Sequence, residues 1–125
     1  MRLIETHIEV QDLERSLKFY STLLPHKKIV RWKDNDAAAL VFDDGSAFGI
    51  WEVGKTGIHG GRAGQHLHFA FQISPNEYGE YKQRLEGLGI QALEYNWPSG
   101  ERSIYFFDSD GHQGEFMTCD WFGLN

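Results

Sequence analysis

The feature of this sequence that most constrains its fold is a pattern of periodicities that occurs twice. Residues 3–10 alternate between apolar and polar side chains, which is typical of a half-buried strand, and residues 65–73 alternate in the same way. A helical pattern and then three short strand-like runs follow each of them. The chain therefore reads βαβββ twice. Each half has too few layers to enclose a core, so we expect the halves to pack on each other or on another chain.

Both predicted helices have clear boundary signals. Asp12 can cap the first helix, and Pro25 ends it. The second helix begins at Ser74, which is followed by a proline and then by Glu77, so that Ser74 and Glu77 form a capping box. The remaining strand-like runs lie near residues 28–33, 37–43, 46–53, 91–96, 102–108 and 112–118.

The length of 125 residues suits one domain, which we divide at a glycine-rich segment. Residues 54–64 contain five glycines in eleven residues and cannot hold regular structure cheaply. We therefore expect a first module over residues 1–53, a linker over 54–64 and a second module over 65–120.

The composition excludes several classes of protein. With 12 Lys and Arg against 18 Asp and Glu, the formal net charge is −6, which argues against nucleic acid as a partner. Membrane association is not expected either, because no apolar stretch is long enough to span a bilayer and no basic amphipathic segment is present. Cys119 is the single cysteine, so no internal disulfide can form, and we expect a cytoplasmic protein.

Four residues at repeat-related places are the strongest candidates for chemistry. His7 and His68 lie on the polar faces of the first strand of each half, 61 residues apart, and Glu52 and Glu115 lie on the last strands, 63 apart. Imidazole and carboxylate groups together bind divalent ions such as Zn²⁺, Ni²⁺, Fe²⁺ or Mn²⁺. We therefore expect these four side chains to converge on one metal ion. Three ligands with open positions would make the site catalytic.

Plainer interpretations compete with this one, because a single histidine on a strand is usually exposed or hydrogen-bonded. His66 shares a face with His68 and is the competing candidate. The alternating apolar residues after His68 match those after His7, so the repeat favours His68 as the ligand. His112 follows a tight turn, and we expect it to support that turn or a neighbouring ligand rather than to bind the metal.

A second group of residues suits substrate contact. Tyr105 lies beside the Glu115 strand if residues 108–111 form a hairpin turn, and Arg102 is close to it in sequence. Trp51 is among the aromatic residues that could wall an apolar pocket. A tyrosine packed with its hydroxyl satisfied is an equally good interpretation of Tyr105.

Several segments together resemble the vicinal oxygen chelate superfamily, which includes glyoxalase I, bleomycin-resistance proteins, fosfomycin-resistance thiol transferases and extradiol dioxygenases. The matching segments are residues 7–8 with 12–20, residues 68–71 and residues 103–116. The resemblance implies an α+β fold of two βαβββ modules forming a cupped mixed sheet with helices outside, around a metal ion, often in a homodimer. It assigns ligand roles to His7, His68 and Glu115.

The resemblance leaves three functions open. In a glyoxalase-like enzyme, our first hypothesis, Glu52 would be the fourth ligand, and Glu52 or Glu115 would move a proton between carbons of a small substrate. In a fosfomycin-resistance-type enzyme, a thiol co-substrate would attack an epoxide, and a tyrosine at the Tyr105 position would contact the phosphonate. The third possibility is a metal-free protein that sequesters a drug.

Overall fold

The computed structural model describes residues 1–32, 36–55 and 68–118. The chain divides into two compact units, residues 1–63 and 64–125. Within these described ranges, each unit contains a four-stranded mixed sheet and one α-helix, so the expected α+β class with two βαβββ modules is confirmed. In the described ranges, no helix is long and apolar enough to cross a membrane. Most of the predicted linker, together with His66 and Cys119, lies outside the described residues.

The first unit follows the predicted element order. Its elements are β1 (Glu5–Val10), α1 (Leu13–Leu23), β2 (Lys28–Arg31), β3 (Ala37–Val41) and β4 (Ala47–Glu52). The strand order in the sheet is β1-β4-β3-β2, in which β1 runs parallel to β4 and the other neighbours are antiparallel. The first and last strands of the unit therefore lie side by side.

The second unit repeats this topology. Its elements are β5 (His68–Gln72), a short 3₁₀ turn (Pro75–Glu77), α2 (Tyr78–Gly87), β6 (Leu93–Asn96), β7 (Arg102–Phe107) and β8 (Gln113–Met117). The strand order is β5-β8-β7-β6, again with the first and last strands parallel. Consequently β5 is the equivalent of β1, and β8 is the equivalent of β4.

The predicted caps start both helical segments. The Asp12 side chain accepts a hydrogen bond from the backbone N–H of Arg15 at 3.0 Å. In the second unit, Glu77 accepts from the backbone N–H of Ser74 at 2.8 Å and completes the capping box. These bonds satisfy backbone donors that the first turn of a helix leaves unpaired.

Each helix covers one face of its own sheet. In the first unit, Tyr20 on α1 packs against Phe48 on β4, with ring centroids 4.8 Å apart. In the second, Tyr81 on α2 packs against Phe116 on β8 at 4.5 Å, and Phe106 stacks on Phe116. We refer to this face of each sheet as the helix face and to the opposite one as the far face. Because side chains alternate along a strand, every strand contributes to both.

One glycine on the helix face leaves no room for a side chain. A Cβ atom on Gly114 would lie 2.2 Å from Cζ of Phe106, which is 0% exposed. Because the ring cannot move away without disturbing the core, Gly114→Ala should lower the free energy of unfolding by about 1–3 kcal/mol in denaturant titrations. Gly79→Ala is the control, since a Cβ there meets nothing within 4 Å and alanine favours a helix. Equal stabilities of the two variants would contradict this prediction.

Candidate metal centre

Two of the predicted ligands face each other in the second unit. In the parallel pairing of β5 with β8, His68 is opposite Gln113, and Ala70 is opposite Glu115. Residues paired in this way share a face of the sheet, so His68 and Glu115 both lie on the far face. The Nε2 atom of His68 is 3.6 Å from Oε2 of Glu115.

The burial of Glu115 indicates what this pair can bind. Glu115 is only 3% exposed, and its Oε1 atom is buried without a hydrogen-bond partner among the described residues. Leaving a buried carboxylate oxygen unsatisfied is costly, and a cation beside it would remove that cost. Imidazole nitrogen and carboxylate oxygen are also ligands of borderline divalent ions. The donor set therefore fits a divalent metal ion.

Tyr105 lies next to this pair. The predicted hairpin is present, and its antiparallel register places Tyr105 opposite Glu115 on the same face. Ser103, two residues earlier, is also on this face and accepts a hydrogen bond from the indole N–H of Trp97 at 2.9 Å. Aromatic and hydroxyl groups thus border the His68–Glu115 pair, and the Trp97–Ser103 bond is a contact that the sequence did not reveal.

The turn before Glu115 contains a second cluster of potential ligand types, Asp108, Asp110 and His112. One carboxylate oxygen of Asp108 accepts from the backbone N–H groups of Asp110 and His112, at 2.9 and 2.8 Å. The other is 2.8 Å from Nδ1 of His112. Asp108 therefore uses both oxygens to hold the turn, which agrees with the expectation that His112 supports it.

In the first unit, His7 occupies the far face of β1. It is paired with Gly49 on β4, so Trp51 shares its face. The indole N–H of Trp51 donates a hydrogen bond to Nδ1 of His7 at 2.8 Å, and the Trp51 ring stacks on Trp32 at 5.1 Å. On the other side of the imidazole, Nε2 is 3.3 Å from a carboxylate oxygen of Glu5.

Glu52, the predicted ligand at the end of β4, does not share a face of the sheet with His7. Glu52 is paired with Val10, which is fully buried on the helix face, as is Ile50 two residues before Glu52. Because strand side chains alternate, Glu52 and His7 belong to opposite faces of the sheet. The residue equivalent to Glu115 is Trp51, since each lies two residues beyond the partner of its histidine.

Arg102 is likewise on the helix face and not beside Tyr105. Its guanidinium carbon lies 3.7 Å from the centre of the Tyr78 ring on α2. The Tyr78 hydroxyl donates to the carboxylate of Glu94 at 2.9 Å, and burial, with a further contribution from Glu94, raises the pKa of Tyr78 to about 12. Arg102 therefore helps to dock α2 onto the sheet, on the face opposite to that of Tyr105.

Solved structures with the same fold include enzymes of several activities. A lactoylglutathione lyase from Agrobacterium tumefaciens aligns over 93% of this chain and 92% of its own, with a TM-score of 0.74 and 22% identity. A second structure is a FosX variant from Listeria monocytogenes complexed with Mn(II) and 1S,2S-dihydroxypropylphosphonic acid. It aligns over 94% of this chain and 89% of its own, with a TM-score of 0.73 and 24% identity. These structures define the fold as that of the glyoxalases and dioxygenases.

Sequence comparison narrows the class. No family model matches the chain. The metallothiol transferase FosB of Lysinibacillus sphaericus is 32% identical over 111 residues, which are 87% of this chain and 76% of the relative. The glutathione transferase FosA of Serratia marcescens is 29% identical over 108 residues, which are 86% of this chain and 74% of that relative. The chain therefore belongs to the fosfomycin-resistance family of the vicinal oxygen chelate superfamily.

Proposed function

We propose that this chain is a metal-dependent enzyme of the fosfomycin-resistance type, which opens the epoxide of fosfomycin or of a similar small phosphonate with a thiol. The glyoxalase-like reaction that was our first hypothesis requires a carboxylate from the first unit as the fourth ligand. The observation that favours the transferase is the position of Trp51, an indole where that carboxylate is required. The relatives that are named as transferases support the same choice.

The proposed ligands are His68 and Glu115, with His7 on the equivalent strand of the first unit as the third. Glu115 would use the oxygen that has no partner among the described residues, and its charge would offset part of the ion's. Three protein ligands leave coordination positions for substrate oxygens, which is typical of catalytic sites. When bound, the ion supplies a Lewis acid that stabilises negative charge on the oxygen of the opening epoxide.

In the proposed reaction, the thiol sulfur forms a bond to one ring carbon while the bond between that carbon and the epoxide oxygen breaks. The proton released by the thiol is taken up at the epoxide oxygen, so the product is a hydroxy thioether and all atoms are accounted for. Tyr105 would bind and orient the substrate, because a phenolic O–H can donate to a phosphonate oxygen and Tyr105 lies directly across from Glu115.

The relatives suggest the co-substrate and the metal to examine first. One relative is named for glutathione, which makes glutathione the first thiol to try. Mn(II) is the ion in the FosX structure. The molecule bound there carries two hydroxyl groups, which is what an epoxide becomes when water, rather than a thiol, is added to it. A reaction mixture without thiol is therefore a necessary arm. A homodimer and a cytoplasmic location complete the proposal.

The test is an activity screen on untagged protein that has been stripped of metal and reloaded with Mn²⁺, Ni²⁺, Zn²⁺ or Fe²⁺. Fosfomycin is supplied with glutathione, with cysteine or with no thiol, and the products are followed by ³¹P NMR and mass spectrometry. We expect a thiol adduct that requires added metal. Turnover of methylglyoxal with glutathione, without reaction of fosfomycin, would restore the glyoxalase-like hypothesis. Protein that takes up no stoichiometric metal would instead favour drug sequestration.

A further inference from the structure

The surroundings of His7 conflict with metal binding in one specific way. Both ring nitrogens already have neighbours, because Nδ1 accepts from the indole N–H of Trp51 at 2.8 Å and Nε2 lies 3.3 Å from Glu5. An indole nitrogen can only donate, so the Trp51 contact uses the imidazole's lone pair. A neutral imidazole has one lone pair and one N–H, which means that the proton is on Nε2, facing the Glu5 carboxylate.

A metal ion needs that same lone pair. A histidine that binds a metal through one nitrogen donates a hydrogen bond from the other, usually to a carboxylate, a carbonyl or water. If the metal binds Nε2, Nδ1 carries the proton and cannot accept from Trp51. If it binds Nδ1, it takes the place of the Trp51 N–H directly. The Trp51–His7 hydrogen bond and metal ligation by His7 therefore exclude each other, whichever nitrogen is used.

We propose that Trp51 and the metal ion compete for the lone pair of His7, so that Trp51 holds the imidazole in the metal-free protein and releases it when the metal binds. This inference rests on the proposed function, in which His7 is a ligand. It adds a role for Trp51 that is distinct from lining a pocket.

The packing around Trp51 and His7 indicates which of these two rings moves when the metal binds. Trp51 is stacked on Trp32, with ring centroids 5.1 Å apart, and is held by β4 between β1 and β3. The His7 side chain is 35% exposed and lies over Gly49, where a Cβ atom would come within 2.1 Å of Nδ1. A small rotation of the imidazole is enough to break a directional hydrogen bond. We therefore expect His7 to turn while Trp51 stays in place.

The first arm of the test is metal affinity. Trp51→Phe removes the donor and keeps an aromatic ring, so the affinity for Zn²⁺ in calorimetry should rise about fivefold, the factor that corresponds to one ordinary hydrogen bond. Trp32→Phe is the matched control. It alters the same stacked pair but not the bond to His7, and its affinity should stay close to that of the parent protein.

The second arm observes the hydrogen bond itself. The indole cross-peak of Trp51 in ¹⁵N-labelled protein, assigned by its absence in Trp51→Phe, should shift along the same saturation curve as Zn²⁺ binding. Two results would contradict the proposal that Trp51 competes with the metal, provided that His7→Ala still weakens Zn²⁺ binding. One is an indole cross-peak that does not change on Zn²⁺ binding, and the other is a Trp51→Phe affinity for Zn²⁺ that is equal to or weaker than that of the parent protein. If His7→Ala binds Zn²⁺ as tightly as the parent, His7 is not a ligand, and the proposed metal site fails instead.

Discussion

Glu115→Gln should abolish tight metal binding and leave the metal-free protein folded. The substitution keeps the shape of the side chain but removes the charge and one anionic oxygen, and Glu115 is almost fully buried beside His68. Loss of a direct ligand should weaken metal affinity by more than about a hundredfold, beyond the usual effect of a supporting residue. Calorimetric titration of the stripped protein with Mn²⁺ measures this loss.

Thermal unfolding provides an independent readout of the same change. A hundredfold excess of metal over Kd stabilises the native state by about 2.7 kcal/mol, so the Tm of the parent protein should rise by about 10 °C. The Tm of Glu115→Gln should not respond. Without metal, the two proteins should differ by less than about 1 kcal/mol, because an amide is easier to bury than a charge whose Oε1 has no partner in the described ranges.

Glu52→Gln is the matched control for Glu115→Gln, because it makes the same change in the other candidate carboxylate. Glu52 ends the strand that is equivalent to β8, but it is paired with Val10 and belongs to the helix face. Its variant should keep the parent's metal affinity and the parent's rise in Tm. If Glu52→Gln loses metal as Glu115→Gln does, the register that we assign to the site is wrong, and a glyoxalase-like set of four ligands becomes the better description.

Gly49→Ala should reduce metal affinity about as much as His7→Ala, by at least about tenfold, although it removes no ligand. The new methyl group would lie 2.1 Å from Nδ1 of His7, so it would push the ring off β4 by much more than the small rotation that metal binding requires. His7 is partly exposed and can move, so the effect should fall on the site more than on stability. Gly114→Ala differs in this respect, because its neighbour Phe106 is fully buried.

A double-mutant cycle separates this steric effect from a general weakening of the sheet. In a His7→Ala background the ring is gone, and Gly49→Ala should cost little further stability or affinity. Denaturant unfolding and metal titration of the four proteins give both coupling energies. Additive effects would mean that the alanine at position 49 acts on the strand rather than through His7.

The order and type of the elements could be predicted from the sequence because the relevant signals are local. The cap at Asp12 and the capping box at Ser74 and Glu77 are formed as expected. Alternation alone places His68 on a polar strand face and Glu115 on the last strand, and the register brings the two together. Burial of Glu115 was not foreseen, because it depends on packing across the whole sheet.

The face on which Glu52 lies could not be obtained from the repeat. A fixed offset between the two halves identifies equivalent strands but not the pairing within them. Paired residues are 42 positions apart in the first unit, His7 with Gly49, and 45 apart in the second, His68 with Gln113. The difference is odd, and a one-residue slip moves a side chain to the other face. The separation of Arg102 from Tyr105 is different, since the two are an odd number of residues apart and alternation alone puts them on opposite faces.

Because the two units share one topology, Trp51 and Glu115 occupy equivalent positions in them. The same location in the fold holds a neutral ring in one copy and a buried anion in the other. The two units keep a histidine at equivalent places, His7 and His68, but differ at this position. In the proposed site, an indole in place of a second carboxylate would lower the negative charge offered to a cation and would leave more of the cation's positions for incoming molecules.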